Sequence, residues 1–404
     1  MKWEKVKLGE VSRVSSSKRI FARQYVRKGV PFYRQKEIID KKNKNFIIDP
    51  LFISVETYNE IKKKFGVPVK GDLLITAVGA SLGIPYIVDD EIFYFKDGNL
   101  IWLSNFNENI NSKYIYYWIT SDIGQKMMWS RVIGSAQPAL TIDIIKQFEL
   151  SIPTYILQNK IVKILETYDK LIENNQKQIK LLEEAAQRLY KEWFVNLRFP
   201  GYENTPIIDG VPEGWRLGNV GEFSKVLKRG ISPKYNDNGK FVVINQKCIR
   251  QTIVSFDEAK KQDKIYSEEL NLKDSDTVIC STGSGTLGRV GQIFGNYKDT
   301  TFDSHITLVR ANDNIGKQYF FQVLKAHQVY LCEMGKGSTN QLELSRDVIK
   351  NLEFYVLPKE LETKFENLVQ PIHDKIGVIN ENIKYLKEAR DRLLTKLMSG
   401  KIEV

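Results

Sequence analysis

Ile179-Lys180-Leu181-Leu182-Glu183-Glu184-Ala185 returns 204 residues later as Ile383-Lys384-Tyr385-Leu386-Lys387-Glu388-Ala389. Both copies lie inside long apolar seams. In the first, Ile161, Leu165, Tyr168, Ile172, Asn175, Ile179, Leu182, Ala186, Leu189 and Trp193 step alternately by four and three residues. That is the spacing of a helix that buries one stripe along its whole length. The second seam reads Phe365, Leu368, Ile372, Ile376, Ile379, Ile383, Leu386, Arg390, Leu393 and Leu397. At ~1.5 Å per residue, a helix of about 40 residues is roughly 60 Å long. One small domain does not cover such a rod, so the two helices are expected to pair with each other. A globular segment lies between them, which lets the second return antiparallel to the first. Asn175 on the first seam is expected to fix the register at some cost in stability.

The repeat extends outward from the helices. Trp3-Glu4-Lys5-Val6-Lys7-Leu8-Gly9-Glu10-Val11 returns as Trp215-Arg216-Leu217-Gly218-Asn219-Val220. Arg34-Gln35-Lys36 returns as Asn245-Gln246-Lys247, and Gly134-Ser135-Ala136-Gln137 as Gly337-Ser338-Thr339-Asn340. The expected division is a globular domain over 1–152, a helix over 153–197, a linker over 198–214, a second globular domain over 215–357 and a second helix over 358–404. The linker is marked by Arg198-Phe199-Pro200-Gly201-Tyr202 and Val211-Pro212-Glu213-Gly214. Within the first domain, Phe46-Ile47-Ile48, Leu73-Leu74-Ile75 and Tyr86-Ile87-Val88 read as strands between breakers, and residues 112–130 as one helix capped by Ser112. The fold class is α+β: two pseudo-symmetric α/β domains joined by two long antiparallel coiled-coil helices. A duplicated chain can build a pseudo-twofold object, and duplex DNA is the common target with matching geometry.

Composition narrows the partner. The chain has 404 residues, 42% hydrophobic, with a net charge of +11. Residues 155–195 hold 7 Lys/Arg against 6 Asp/Glu and residues 358–404 hold 9 against 8, so nine of the eleven net charges fall outside the helices. Positive charge on the globular parts points to an anionic partner. Cys248, Cys280 and Cys332 form an odd count without CxxC spacing, as expected of a reducing compartment without a disulfide frame or zinc site. The start, MKWEKVKLGE, lacks the apolar stretch of a signal peptide, and no run reaches membrane-spanning length, so a soluble cytoplasmic protein is expected.

Catalytic motifs fail one by one. Gly283-Ser284-Gly285-Thr286-Leu287-Gly288 matches GxGxxG, but Arg289-Val290-Gly291-Gln292 follows and reads as strand, where a dinucleotide site needs a helix. The segment is expected to be a tight hairpin turn, as is its partner Val78-Gly79-Ala80-Ser81-Leu82-Gly83. There is no N-P-P-Y/F tetrad of the amino-methyltransferases. His305, His327 and His373 make no HExxH, and Glu362-Thr363-Lys364 lies in a helix without an acidic partner strand. A chain of this length without an active site is expected to bind rather than catalyse, and no cofactor or metal is expected in it.

Three loop classes recur in both halves and carry groups suited to DNA. Ser15-Ser16-Ser17-Lys18-Arg19 and its counterpart Lys228-Arg229-Gly230 read as polar, basic loops, in which Lys18, Arg19, Lys228 and Arg229 suit phosphate contacts. Arg34, Gln35 and Lys36, like Asn245, Gln246 and Lys247, each follow an apolar run and are expected at strand ends, where Gln or Asn can bridge adenine and Arg or Lys can pair with guanine. Gln137, Ser338 and Asn340 lie in Gly-Ser loops whose glycine permits close backbone approach.

In this order, the pieces resemble the specificity (S) subunits of type I restriction-modification systems. The resemblance rests on Trp3, Leu8, Gly9 and Val11, on Lys70-Gly71-Asp72-Leu73-Leu74, on Gly134-Ser135-Ala136-Gln137-Pro138-Ala139-Leu140, and on Arg198-Phe199-Pro200-Gly201 with Val211-Pro212-Glu213-Gly214-Trp215. It implies that each globular part is a target recognition domain reading half of a bipartite, asymmetric DNA site. It implies that the helices are a ruler between the half-sites. It implies two methyltransferase (M) subunits using S-adenosylmethionine for adenine N6, and restriction (R) subunits using ATP and Mg2+, with no catalysis by this chain. The second half departs mildly, with a shorter opening and Gln341 in place of Pro138. Two other readings are an orphan DNA-modifying enzyme, for which the chain has no room, and a coiled-coil adaptor, which the basic globular halves oppose. If the helices are the ruler, four residues added near Asn174 lengthen one by roughly 6 Å. At about 3.4 Å per base pair the spacer then grows by one or two base pairs. Sequencing of methylated host DNA reads this directly, and an unchanged spacer in an active complex would remove the helices from that role.

Overall fold

A computed structural model describes residues 3–402 and 404, apart from Lys44, Phe46, Ile48, Ser135, Ala136, Gln137, Ser284, Ser338, Thr339, Asn340 and Gln341. The strand expected at Phe46-Ile47-Ile48 therefore falls largely outside the described residues. The chain divides into two compact units: Met1–Asn174 with Lys384–Val404, and Asn175–Ile383.

In the first unit, one antiparallel sheet runs in the order Arg13–Ser15, Leu100–Ser104, Leu73–Thr76, Pro85–Ile87. Its two central strands are buried at every position, which explains their unbroken apolar reading. A second sheet runs Tyr25–Val26, Leu51–Ile53, Val30–Tyr33, Tyr94–Phe95, its last pair parallel. The terminal pair Glu4–Lys7 and Glu149–Ile152 closes the domain. The second unit repeats this plan. Its four-stranded sheet runs Ser224–Arg229, Ile306–Ala311, Thr277–Cys280, Val290–Gln292, a three-stranded sheet runs Lys260–Gln262, Phe241–Ile244, Thr300–Phe302, and Arg216–Asn219 closes on Glu353–Val356. Thr277–Cys280 and Val290–Gln292 pair antiparallel, so the GxGxxG segment joins a hairpin as expected, with Gly283, Gly285 and Gly288 at positive φ.

Residues 112–130 form two helices rather than one. Ser112–Thr120 is capped by Asn111, which accepts from Lys113 N, and Asp122–Ser130 by Ser121, which accepts from Gly124 N. The chain turns at Ser121 tightly enough that a Cβ on Gly124 would come 2.2 Å from the Trp118 carbonyl oxygen. Ser and Asn caps inside an apolar stretch were the signal for the break.

The long helices span Tyr155–Tyr190, continued by a π-helical turn over Lys191–Val195, and Lys359–Met398. In the first unit, Leu157, Ile161, Val162 and Leu165 share one core with Leu394, Leu397 and Met398, and Arg390 Nη1 lies 2.8 Å from Asp169 Oδ1. In the second unit, Ala186, Tyr190, Trp193 and Phe194 share a core with Leu361, Phe365 and Val369. The start of each helix meets the end of the other, so the pair is antiparallel. The expected seam needs one correction. Leu368 is 51% exposed, and Val369, 2% exposed, takes its place. Between Phe365 and Ile372 a step of four then three fits the periodicity as well as three then four, and the domain packed alongside selects Val369. Pro371 lies within the second helix on its exposed side.

This packing predicts a contrast. Phe365→Ala empties a fully buried site beside Trp193 and Phe194, and should cost about 3–5 kcal/mol. Leu368→Ala should cost within about 0.5 kcal/mol. Urea unfolding of the full chain followed by tryptophan fluorescence separates them, and equal costs would restore Leu368 to the seam.

Burial pushes the Glu183 carboxyl up to about 7, against a smaller lowering by Lys325. A carboxyl with a raised folded pKa binds more protons folded than unfolded, so its cost is absent at low pH, grows as pH rises through the ordinary carboxylate value, and is complete above about 7. Glu183→Gln should therefore gain about 1–3 kcal/mol more at pH 8 than at pH 5. The same gain at both pH values would show that burial does not hold the group protonated.

Candidate nucleic-acid interface

In the first unit, three loops meet beyond the end of the four-stranded sheet. The hairpin tip between Leu73–Thr76 and Pro85–Ile87 is held by Gly79 N donating to Pro138 O at 2.8 Å and Leu140 N donating to Ala77 O at 2.9 Å. The flanks of the Gly-Ser loop close on each other through Ile133 and Ala139, at 3.0 Å in both directions. Gln35 Nε2 donates to Val78 O at 2.9 Å, which brings the third loop to the same hairpin. Gln35 Oε1 is buried and has no partner among the described residues. Lys36 beside it is exposed.

The second unit builds the same junction. Lys336 and Glu343 pair at 3.0 and 2.9 Å, and Leu344 N donates to Ser281 O at 2.8 Å. Gln246 Nε2 lies 2.9 Å from where a Cβ on Gly283 would stand, so the glutamine amide packs against the hairpin glycine. Lys247 is exposed. The recurrence of these three contacts is what brings the loop classes together in each half. Gln137, Ser338 and Asn340 lie outside the described residues, although their flanks are described.

Lys18 and Arg19 do lie in a loop after Arg13–Ser15. Lys18 N donates to Tyr94 Oη at 2.6 Å, its ammonium lies 5.1 Å from the centre of the Phe65 ring, and Arg19 Nε meets Asp97 Oδ2 at 2.7 Å. Lys228 and Arg229 do not. They end the strand Ser224–Arg229, whose alternation around buried Val226 was masked by its basic residues. Lys228 pairs with Glu269, while Arg229 Nη1 meets Glu343 Oε1 at 2.7 Å and Nη2 donates to Leu344 O at 2.7 Å. Arg229 thus ties the strand end to the flank of the Gly-Ser loop.

Arg34 and Asn245 are caps. Arg34 precedes the helix Gln35–Lys42, its backbone N donating to Glu37 Oε2 at 2.8 Å and its Nη2 meeting Glu37 Oε1 at 2.5 Å. Burial alone would raise the Glu37 carboxyl, but the hydrogen bonds from Arg34 outweigh it and hold it below its usual range. Asn245, 9% exposed, accepts from Lys247 N at 2.8 Å and donates to Glu258 O at 2.7 Å. Both ends of its amide are taken. The expected strand ends are real, at Tyr33 and Ile244, but a helical turn follows each and uses the first polar residue as its cap.

The sequence reading missed the turns Lys96–Asn99 and Asp303–His305, which enter the same junction through Ala77 N donating to Asn99 O at 2.9 Å and Ser281 N donating to His305 O at 2.8 Å. The signal available was the repeat itself, since both turns precede a strand that pairs with the hairpin. The two buried thiols near the second junction are held protonated and unreactive: burial pushes Cys280 up to about 12 and Cys248 up to about 11. Among the described residues, no three His, Cys, Asp or Glu are grouped to hold a metal, and no helix is long and apolar enough to cross a membrane.

Residues 1–184 and 212–383 each match the family model for the type I restriction modification DNA specificity domain. Among curated relatives, the specificity subunit of the type I restriction enzyme MjaIX from Methanocaldococcus jannaschii is 25% identical over 305 residues, 74% of this chain and 70% of the relative. A putative type I specificity subunit from Haemophilus influenzae is 31% identical over 187 residues, 46% of this chain and 45% of the relative. The crystal structure of a type I S subunit from M. genitalium has the same fold, with TM-score 0.55 and 16% identity over 98% of this chain and 96% of that one. With both halves matched, the chain belongs to the type I restriction-modification specificity subunit family.

Proposed function

We propose that the loop junction of each unit reads one half of a bipartite, asymmetric site in double-stranded DNA. The observation that carries this is the recurrence of one junction in both units: a hairpin, a Gly-Ser loop and a glutamine-bearing turn, with Gln35 and Gln246 in matching places. Exposed Lys36 and Lys247 beside them suit backbone phosphates, and so do Lys18 and Arg19. Gln35 and Gln246 act close to the bases, with the glycine-rich hairpins admitting the DNA backbone or base edges closely. Arg34 and Asn245 shape the turns that present them, and Arg229 braces the second Gly-Ser loop.

As specificity subunits do, the chain itself performs no catalysis. In the assembled system two M subunits would bring S-adenosylmethionine to adenine N6, and R subunits would bring ATP and Mg2+. The positive charge outside the long helices supports a DNA-facing role for the domains rather than for the rod.

The two-reader model makes the halves exchangeable. Replacing residues 1–150 with the same part of a relative of different specificity should change one half of the methylated sequence and leave the other as it was. Sequencing the methylated bases of a host carrying the chimeric subunit with its M subunits measures this. A change in both halves, or in neither while methylation continues, would end the two-reader model.

A further inference from the structure

His305 stands in the second junction with one ring nitrogen held and the other unclaimed. Its backbone is pinned twice, by its N donating to Asp303 Oδ1 at 2.9 Å and its carbonyl accepting from Ser281 N at 2.8 Å. Asp303 is 2% exposed, and Gly230 approaches this turn so closely that a Cβ there would lie 2.2 Å from the Phe302 carbonyl oxygen. The imidazole is exposed, and its Nδ1 lies 2.6 Å from Thr282 Oγ1. Thr282 is itself bridged to Glu343, the residue that pairs with Arg229. An exposed ring held this way is oriented before any partner arrives. No described residue hydrogen-bonds Nε2 of His305.

The first unit carries Asn99 at the corresponding turn. Ala77 N donates to the Asn99 carbonyl as Ser281 N does to that of His305, and each turn leads into the strand that pairs beside the hairpin. The frame repeats while the side chain changes. We propose that His305 reads a base in the second half-site and that Asn99 is its counterpart in the first. This rests on the reading of the junctions as DNA-facing. Nε2 offers a single donor or acceptor, suited to one edge atom of a purine such as N7 or O6. An asparagine amide offers both on one fork and suits adenine N6 and N7. Two readers built on one frame differ here in chemistry, as an asymmetric site requires.

The test uses the complete system in its host, with the specificity subunit native, His305→Ala, His305→Asn or Gln246→Ala. The methylated sequence is read from the genome. His305→Ala should relax one position of one half-site by about tenfold or more and leave the other half intact. His305→Asn should shift that same position toward adenine. If both His305 variants methylate the native sequence with undiminished preference, the assignment of His305 is overturned. If they do so while Gln246→Ala alters the motif, the DNA-facing reading stands and only His305 is withdrawn. If the native complex methylates no bipartite sequence, the reading itself fails. Should His305→Ala leave no methylation, the purified complex is titrated with duplexes carrying each base at each position of the second half-site. Preference lost at one position supports the assignment, and a uniform loss across all duplexes overturns it.

Discussion

Phe194 meets Phe365 at 4.9 Å and Tyr319 at 5.0 Å between ring centres, and the second unit is organised around these contacts. The three rings come from the end of the first long helix, the start of the second, and the domain helix Lys317–Ala326. Trp215, which opens the second domain, packs on Phe194 at 6.0 Å and on Phe199 at 5.3 Å. Each aromatic pair is worth about 0.5–1.5 kcal/mol beyond the area it buries. Burial of each ring adds roughly 1.5–3 kcal/mol. The cluster therefore fixes the domain to both helices at once, and removing one ring loosens three elements.

The first unit ties its helices differently. Asp169 joins Arg390 at 2.8 Å and accepts from Tyr117 Oη at 2.6 Å, so a carboxylate links both long helices to the domain helix Ser112–Thr120. Such a tie contributes less than an aromatic cluster, because the gain is offset by desolvation. What it gives is direction: a slip of one turn would separate the charges and leave each poorly paired. Arg390 on an otherwise apolar seam thus disfavours a slipped register, as a polar seam residue does. Trp3, the counterpart of Trp215, lies against Gly400, where a Cβ would come within 3.2 Å. The repeated tryptophan that revealed the duplication is in both units the residue that seats the start of a domain near a long-helix end.

The duplication, the antiparallel helices and the hairpin nature of the GxGxxG segment were legible because each leaves a pattern over many residues or a glycine spacing. The alternation at Leu368 and Val369 was not, since two registers satisfy the same period and only neighbours far along the chain decide. At Arg34 and Asn245 the sequence does not separate two roles, because a capping residue and a base reader use the same groups. An asparagine amide that bridges adenine equally satisfies Lys247 N and Glu258 O. The choice lies with Glu37 three residues on and with Glu258 thirteen residues on, and only the second is invisible to local spacing. The place of His305 in the junction was illegible for the same reason. Its holder, Thr282, is 23 residues away, and the strand pairing that joins them has no local signature.

The junctions separate rigidity from specificity. Their backbone bonds, Ala77 N to Asn99 O and Ser281 N to His305 O, use groups that every residue but proline carries. Their positive-φ glycines, Gly79, Gly83, Gly283 and Gly288, supply shape without side chains. Side chains placed on such a frame can be exchanged without unfolding it, because the bonds that close the loops run through the backbone. The converse limits where exchange is safe. Arg229 and Asn245 point to the same junction but complete its hydrogen bonding, and buried partners left unpaired cost about 1–3 kcal/mol each. Substitution should therefore be tolerated most readily at Asn99 and His305, where neighbours fix the backbone through its own groups, and least at residues that lie nearby but serve as the frame.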